Sequence, residues 1–518
     1  MIKSLLSVGG FTILSRLTGL VRDTILSGVL GAAGAMDMFG FGFRFTNHFR
    51  AIFGEGAFNA AFVPTYASTM ETRGVVAAQA FANQMFTLLL GMQLALLALA
   101  WSFMPQIIGW LAPRFTATPE GYELAVTLTR ITFPYLMFIT LVTLLTGALN
   151  AHRRFAAGAF APVLLNLAMI GCLAVALIFP SAAHAAAGGV LLAGFLEFLL
   201  LLVAAARAGL AAEFRLPRWS AETGRFFRTI GPAIIGSAGV PIAMLADSLI
   251  AASLPEGSLS AMYYADRLYQ LPIGVIGIAA GTVLLPEMSR RIAAGDPGGA
   301  LHAQNRTMAL TIALSSPFVI LFLLLPDLVM RGVFVHGRFS LADAGAAGAV
   351  LASYAWGLLA IVLIRSAVAS FQARGDTRIP MLASLAGVGV NIALKLMLYA
   401  RYGAAGLAFA TAAGAWVNFA LLVALALQAG SMRPDATLLR TGAAAGAASL
   451  VLAALAWLLA DFLGAQVANL GVWRYATQLA LLGGLGIVAY GTVLLAGLRL
   501  LQVPLPGRRV QPLIQTED

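Results

Sequence analysis

The chain is predicted to be an all-α integral membrane protein with fourteen transmembrane helices, in two six-helix lobes followed by two more helices. Three observations predict this: an extremely apolar composition, its division into span-length runs, and an internal repeat. Of 518 residues, 60% are hydrophobic and only 10% are charged, with a mean hydropathy of +0.90. Soluble domains carry about a quarter of their residues as charged side chains. A span needs about 20 apolar residues, and on that measure the chain resolves into fourteen segments, from 4–31 to 472–502. The second, 34–67, contains FGFGFRFTNHFRAIFGEGAFNAAF, which is glycine-rich, charged and long.

Charge sets the orientation. With both termini cytoplasmic, Lys3, Arg73, Arg153, Arg154, Arg215, Arg218, Arg225, Arg228, Arg290, Arg291, Arg306, Arg374, Arg378, Arg433, Arg440, Arg508 and Arg509 fall in inside loops. Outside loops hold Arg114, Arg331, Arg338, Arg401 and Arg474. The imbalance of about three to one favours this topology, and the same bias explains the net charge of +11 without nucleic acid. The start, MIKSLLSVGG, runs into the first apolar segment with no small-residue cleavage site, so an uncleaved first helix is expected.

The repeat gives the lobes. FRFTNHFRAIFGEGAFNAAFVPTYASTM (43–70) lies over DRLYQLPIGVIGIAAGTVLLPEMSRRI (266–292), matching Arg44 to Arg267, Gly54 to Gly277 and Pro64 to Pro286. A similar offset, about 222 residues, sets Asp23 against Asp247 and Asn166 against Asn391. The expected domains are 1–210 (first lobe), 225–430 (second lobe), 437–503 (two extra helices) and a cytoplasmic tail, 504–518. Parallel repeats of this kind rock about a central substrate site in secondary transporters.

Charged residues inside the spans are the candidate functional ones. LSRLTGLVRD places Arg16, Arg22 and Asp23 in the first apolar run. At 1.5 Å per residue, Arg16 lies roughly 18 Å along the helix from residue 4, near mid-membrane, where an arginine costs about 2.5–3.5 kcal/mol. Asp23 follows Arg16 by seven residues on nearly the same face, whereas Arg22 points elsewhere unless the helix unwinds at Gly19. In the second span Asp37, Arg44 and Glu55 share a face, with Arg50 off it, and Asp266-Arg267 lies in YYADRLYQLP. Arg16, Arg22, Arg50 and Arg267 outnumber the acids available to them. Guanidinium groups grip phosphate oxygens bidentately, so the pattern points to a cationic cavity for a phosphorylated amphiphile. Inter-helix salt bridges are the competing explanation, above all for Arg44 with Asp37 or Glu55.

Asp247 with Asn391, Lys395 and Thr411 offers either a sodium site or an Asp247–Lys395 salt bridge, and the cation on the same face favours the salt bridge. Glu197 and Arg365 are intramembrane charges with no assignable partner. The single cysteine, Cys172, excludes a disulfide framework, and no histidine cluster, catalytic constellation or GxxxxGK[ST] phosphate loop is present. The chain is therefore not expected to be an enzyme or to need a cofactor. The membrane potential remains a driving force, worth about 2.3 kcal/mol per charge across 100 mV.

SRLTGLVRD, AMDMFGFGFRFTNHFRAIFGEGAFNAAFVP, TFPYLMFITLVTLLTGALN, FAPVLLN and YYADRLYQLPIGVIGIAAGTVLLP resemble the MurJ (MviN) family of bacterial lipid II flippases, in the superfamily of MATE-type exporters and polysaccharide flippases. The resemblance implies an inner-membrane protein that carries undecaprenyl-diphosphate disaccharide-pentapeptide from the cytoplasmic to the outer leaflet by alternating access. It implies Arg16, Arg22, Arg50 and Arg267 as headgroup ligands, with Asp23, Asp37, Arg44, Glu55 and Asp266 as gate or charge partners. Segment 437–503 would line a groove for the lipid tail. Partners would be lipid II, membrane lipids and cell-wall synthesis proteins, with the chain acting as a monomer. Lys395 departs from a sodium-binding pattern. The alternatives are a cation-coupled MATE-like drug or polyprenyl-linked oligosaccharide exporter, which the arginine excess argues against, and a membrane scaffold.

Overall fold

The computed structural model describes residues 2–503 apart from 33, 51–56, 217, 238–245 and 247. The described residues are mostly helical, with short 3₁₀ and π turns, and include no strand. In chain order the helices are α1 (Ile2–Leu30), α2 (Ala35–Phe49), α3 (Ala57–Leu111), α4 (Pro119–Thr132), α5 (Tyr135–Ala151), α6 (Ala156–Ala174), α7 (Ala182–Arg207), α8 (Ala221–Ser237), α9 (Ser258–Pro272) and α10 (Ile278–Ala293). They continue with α11 (Pro297–Leu324), α12 (Pro326–Phe334), α13 (Leu341–Gln372), α14 (Arg378–Gln428), α15 (Ala436–Gln466) and α16 (Arg474–Leu500).

Among the described residues nine helical stretches are long and apolar enough to cross a membrane. Two of them, Ala61–Leu111 and Arg378–Gln428, run to 51 residues, far beyond the roughly 20 that a 30 Å hydrocarbon core holds. Each length is relieved by a glycine with positive φ, Gly74 inside α3 (84°) and Gly403 inside α14 (53°), where a side chain would strain the backbone. The second break falls between the expected segments 379–400 and 404–428. Polar side chains start several apolar helices by accepting otherwise unpaired amide hydrogens: Thr118 for α4, Ser181 for α7, Asp296 for α11 and Asp435 for α15.

The chain forms two compact units: residues 1–267 with 334–347 and 394–407, and residues 268–333 with 348–393 and 408–518. The first packs α6 on α7 and α1, and α5 on α3 and α7. Its aromatic core includes Phe39, Phe41, Phe58, Phe62, Tyr66, Tyr135, Tyr263 and Tyr264, each almost fully buried. The second packs α15 on α16 and α11, and α10 on α11. There Tyr490 donates to the Ala313 carbonyl (2.7 Å), and the Arg365 side chain lies against Gly277 and Gly281.

After α7, residues 208–220 run without helix along the start of the second part of α3. Gln79 donates to the Ala211 carbonyl (3.1 Å). Asn83 accepts from the Glu213 amide (3.3 Å), and Thr87 accepts from the Arg215 amide (2.9 Å). Four helical residues advance about 6 Å and two extended residues about 6.6 Å. A polar side chain every four residues on α3 can therefore meet every second residue of the connector.

Candidate functional site

The candidate site is built where α9 meets α1, inside the first unit. Helix α1 is continuous through Gly19, so the unwinding considered for Arg22 does not occur. Arg22 instead folds back on its own neighbour: its Nε (2.9 Å) and Nη2 (2.7 Å) donate to Asp23 Oδ1, and both residues are buried. Its Nη1 donates to Asn166 Oδ1 (2.9 Å) on α6. The Asn166 amide donates in turn to the Ser15 carbonyl (2.8 Å) and the Thr18 hydroxyl (3.0 Å), which fixes the amide orientation.

From α9, Tyr263 inserts its ring and hydroxyl into this group. The hydroxyl donates to Asp23 Oδ1 (2.8 Å) and accepts from Arg22 Nη2 (3.3 Å). One turn on, Arg267 Nε lies 3.4 Å from Asp23 Oδ2, with its guanidinium 4.7 Å from the Tyr263 ring centroid. The Arg44 guanidinium approaches the same ring at 5.9 Å. Such cation–π contacts strengthen where water is excluded. Arg16, half-buried, is within electrostatic reach of Arg267 and Asp266. Asp23 is thus shared among Arg22, Arg267 and Tyr263, and it has Arg267 as a common neighbour with Arg16.

Asp37 forms no ion pair with Arg44 among the described residues, and its partners lie at the start of α9. Its Oδ2 accepts from the Gly257 amide (2.7 Å). Its Oδ1 accepts from the Ser260 amide (2.8 Å) and hydroxyl (2.5 Å). A carboxylate capping the first amides of a helix from a neighbouring helix is stabilised by those unpaired donors and by the helix dipole. The same end of the unit is tied further. Tyr264 donates to the Gly31 carbonyl (3.0 Å), the Arg338 amide to the Gly28 carbonyl (2.8 Å), and His336 Nε2 to the Thr24 carbonyl (2.7 Å). Gly337 has φ of 57°, and a Cβ there would collide with the Gly28 carbonyl oxygen.

The other expected residues lie apart from this group. Arg50 ends α2, within electrostatic reach of Glu197 on α7, which is almost fully buried. Glu197 therefore has a charged neighbour that helical periodicity did not reveal. Lys395 is fully buried, and Asn391 and Thr411 are half-buried on the same long helix. Asp247, Glu55 and Gly54 lie outside the described residues, and with them the sodium-or-salt-bridge question. The sequence reading missed Tyr263 as the centre of the site. Its only signal was adjacency to Asp266-Arg267 in YYADRLYQLP. Asn166 was marked by the repeat without a role.

Arg22, Arg44 and Arg267 thus gather around Tyr263, with Asp23 bound by Arg22 and Arg267 and Arg16 within electrostatic reach of Arg267 and Asp266. Guanidinium groups so clustered can bind phosphate oxygens.

The sequence profile of the family described as "Lipid II flippase MurJ" matches residues 26–477. Among curated relatives, a probable lipid II flippase MurJ of Rhizobium meliloti (strain 1021) is 37% identical, over 89% of this chain and 87% of its own length. One from Vibrio cholerae serotype O1 is 33% identical, over 96% and 97%. Among solved structures, one described as "Lipid II flippase MurJ, inward closed conformation" superposes with a TM-score of 0.79 at 22% identity, covering 96% of this chain and 99% of that one. An inward-facing MATE-family multidrug transporter of the MOP superfamily gives 0.65 at 15% identity, covering 82% and 96%.

Proposed function

The chain belongs to the MurJ family of lipid II flippases, and from that premise we propose that it carries lipid II from the cytoplasmic to the outer leaflet of a bacterial inner membrane. The observation that carries the reading is the group on α1 and α9, where Arg22 and Arg267 share one carboxylate. Asp23 and Tyr263 occupy guanidinium edges of Arg22 and Arg267 and hold α1 to α9. A diphosphate arriving beside Arg16, Arg22 and Arg267 offers four or more acceptor oxygens in place of two. The arginines exchange Asp23 for the headgroup, and the tie between the helices loosens.

In this reading the chain crosses the membrane fourteen times with both termini inside. Two six-helix lobes alternate in access, and helices α15 and α16 line a path for the lipid tail. Arg50 adds a further headgroup contact. Asp37 on the α9 amides acts as the outer tie, since each carboxylate–amide bond of this kind contributes about 0.5–2 kcal/mol. Because the cargo carries its charge outward from a negative interior, the membrane potential favours export.

The test is export by purified protein in proteoliposomes. Arg22→Ala and Arg267→Ala are expected to insert and fold but to lose lipid II export at least a hundredfold. Export at the wild-type rate by either variant refutes the assignment.

A further inference from the structure

We propose that the connector and the first turns of α8 form a second lipid site, one that takes the phosphate headgroup of an anionic phospholipid of the cytoplasmic leaflet. The proposal rests on the inside-facing orientation given above. A cavity of about 550 Å³ opens here, lined by Trp219, Ser220, Gly224, Arg225, Arg228 and Thr229. Trp219 is 80% exposed and its ring stacks on Phe227, with centroids 5.8 Å apart and 4° between the planes. Phe214 and Leu216 on the connector are 77% and 82% exposed.

The opposite side of α8 is fixed. Phe226 is buried and packs edge-on against Phe58 (5.7 Å) and Phe81 (6.4 Å). The helix therefore cannot roll to hide its outer side chains. Large apolar groups held outward, interleaved with cations, suit the boundary between headgroups and acyl chains. Indole and phenyl rings settle there, and arginines meet phosphate.

Charge complementarity selects the headgroup. Arg215, Arg218 and Arg228 are exposed, and among the described residues none of the three side chains forms an ion pair. Arg225, which lines the cavity, donates to the Ser68 hydroxyl (3.1 Å). Glu222 is already bound by Arg73, and the exposed Glu213 on the connector stands against four arginines of the same stretch. The hydrogen bonds from Gln79, Asn83 and Thr87 pin the connector, so the exposed side chains are presented on a fixed backbone. The apolar run of α8 starts at Ile230, which sets residues 219–229 at headgroup depth once that helix enters the bilayer.

The experiment uses the full chain in nanodiscs, with Cys172→Ala and Trp219→Cys and a bimane label on the introduced thiol. Quenching by brominated phosphatidylglycerol is titrated against brominated phosphatidylcholine. The site predicts quenching by the anionic lipid at lower mole fraction. Each arginine near a charged membrane surface contributes about 1 kcal/mol, or roughly fivefold. Arg225→Gln with Arg228→Gln should therefore weaken the preference about 25-fold, and Arg433→Gln, elsewhere on the cytoplasmic side, should not.

Equal quenching by the two lipids, or an unchanged preference in the double variant, overturns the proposal. Reversal of the quench by stoichiometric lipid II assigns the cavity to the cargo, and reversal by inorganic phosphate makes it a plain anion site. Either result also overturns it. Labelling of the Trp219→Cys variant from the outside of intact cells would refute the orientation itself, separating failure of that premise from failure of the site.

Discussion

In the proposed exchange the cargo displaces Asp23 from its arginines, and Asp23→Asn isolates that step. Two short bonds from Arg22, 2.9 and 2.7 Å, end on one Asp23 oxygen, while Arg267 lies 3.4 Å from the other. Bonds to a charged acceptor contribute about 1.5–3 kcal/mol, against about 0.5–1.5 for neutral ones. Asparagine keeps an acceptor oxygen in place but loses roughly 1 kcal/mol on each of the two Arg22 bonds, about 2 kcal/mol in all. If a diphosphate competes for those guanidinium edges, lipid II should bind roughly 30-fold more tightly to the variant.

Export should slow at the same time, because the carboxylate that recaptures Arg22 at release is gone. The assay is lipid II affinity in nanodiscs by native mass spectrometry, alongside the thermal midpoint of the same sample. Removing a partner from a buried ion pair can cost about 3–5 kcal/mol, so affinity is read in preparations that remain folded. Unchanged or weaker binding by folded Asp23→Asn would refute the exchange, because Asp23 would then support the site without competing for it.

Tyr263→Phe keeps the ring under Arg267 and removes only the hydroxyl between Asp23 and Arg22. A double-mutant cycle with Asp23→Asn should give a coupling of about 1–3 kcal/mol, whereas additive effects would place the hydroxyl outside the network. Asp37→Ala strips three acceptor contacts from the start of α9, so a thiol introduced by Ser258→Cys should become more reactive to outside reagents, and no gain in labelling would mean that Asp37 does not tie this end. Gly337→Ala puts a methyl group against the Gly28 carbonyl and should lower the thermal midpoint more than Gly345→Ala, where a Cβ meets nothing within 4 Å. The Glu222 carboxyl is held below its usual range by its own backbone amide first, then by Ser220 and Arg73. Its stabilising contribution is therefore complete above the unfolded value of 4.5 and lost as pH falls through the depressed one; Glu222→Gln should flatten this acid limb of a thermal-midpoint profile, and an identical limb in the variant would contradict the assignment.

What could be read from the sequence depended on the range of the interaction. The apolar runs, the breaks near Gly74 and Gly403, and the unusual charges of α1 and α9 follow from local composition. Arg22 pairing with Asp23 did not, because helical spacing sets adjacent side chains about 100° apart, and only a flexible arginine stem lets the guanidinium return to its neighbour. Tyr263 was hidden for a different reason. An aromatic residue in an apolar helix has no periodic signature that distinguishes a hydrogen-bonding hydroxyl from core packing. Asp37 shares a helical face with Arg44, yet a nearby helix start offers its carboxylate two backbone amides and a hydroxyl, a better set of donors than one guanidinium. Gln79, Asn83 and Thr87 recur every four residues, but the connector they hold has no pattern of its own to reveal the match.

The proposed action of the cationic group on α1 and α9 upon the cargo's diphosphate can be measured in cells depleted of this protein and then supplied with wild type or Arg267→Ala at equal membrane levels. Lipid II exposed on the outer face is measured by its accessibility to an added headgroup-cleaving enzyme. Wild type is expected to restore exposure, and Arg267→Ala to leave the precursor inside. Equal restoration by both would make these charges structural ties between helices and would contradict the account.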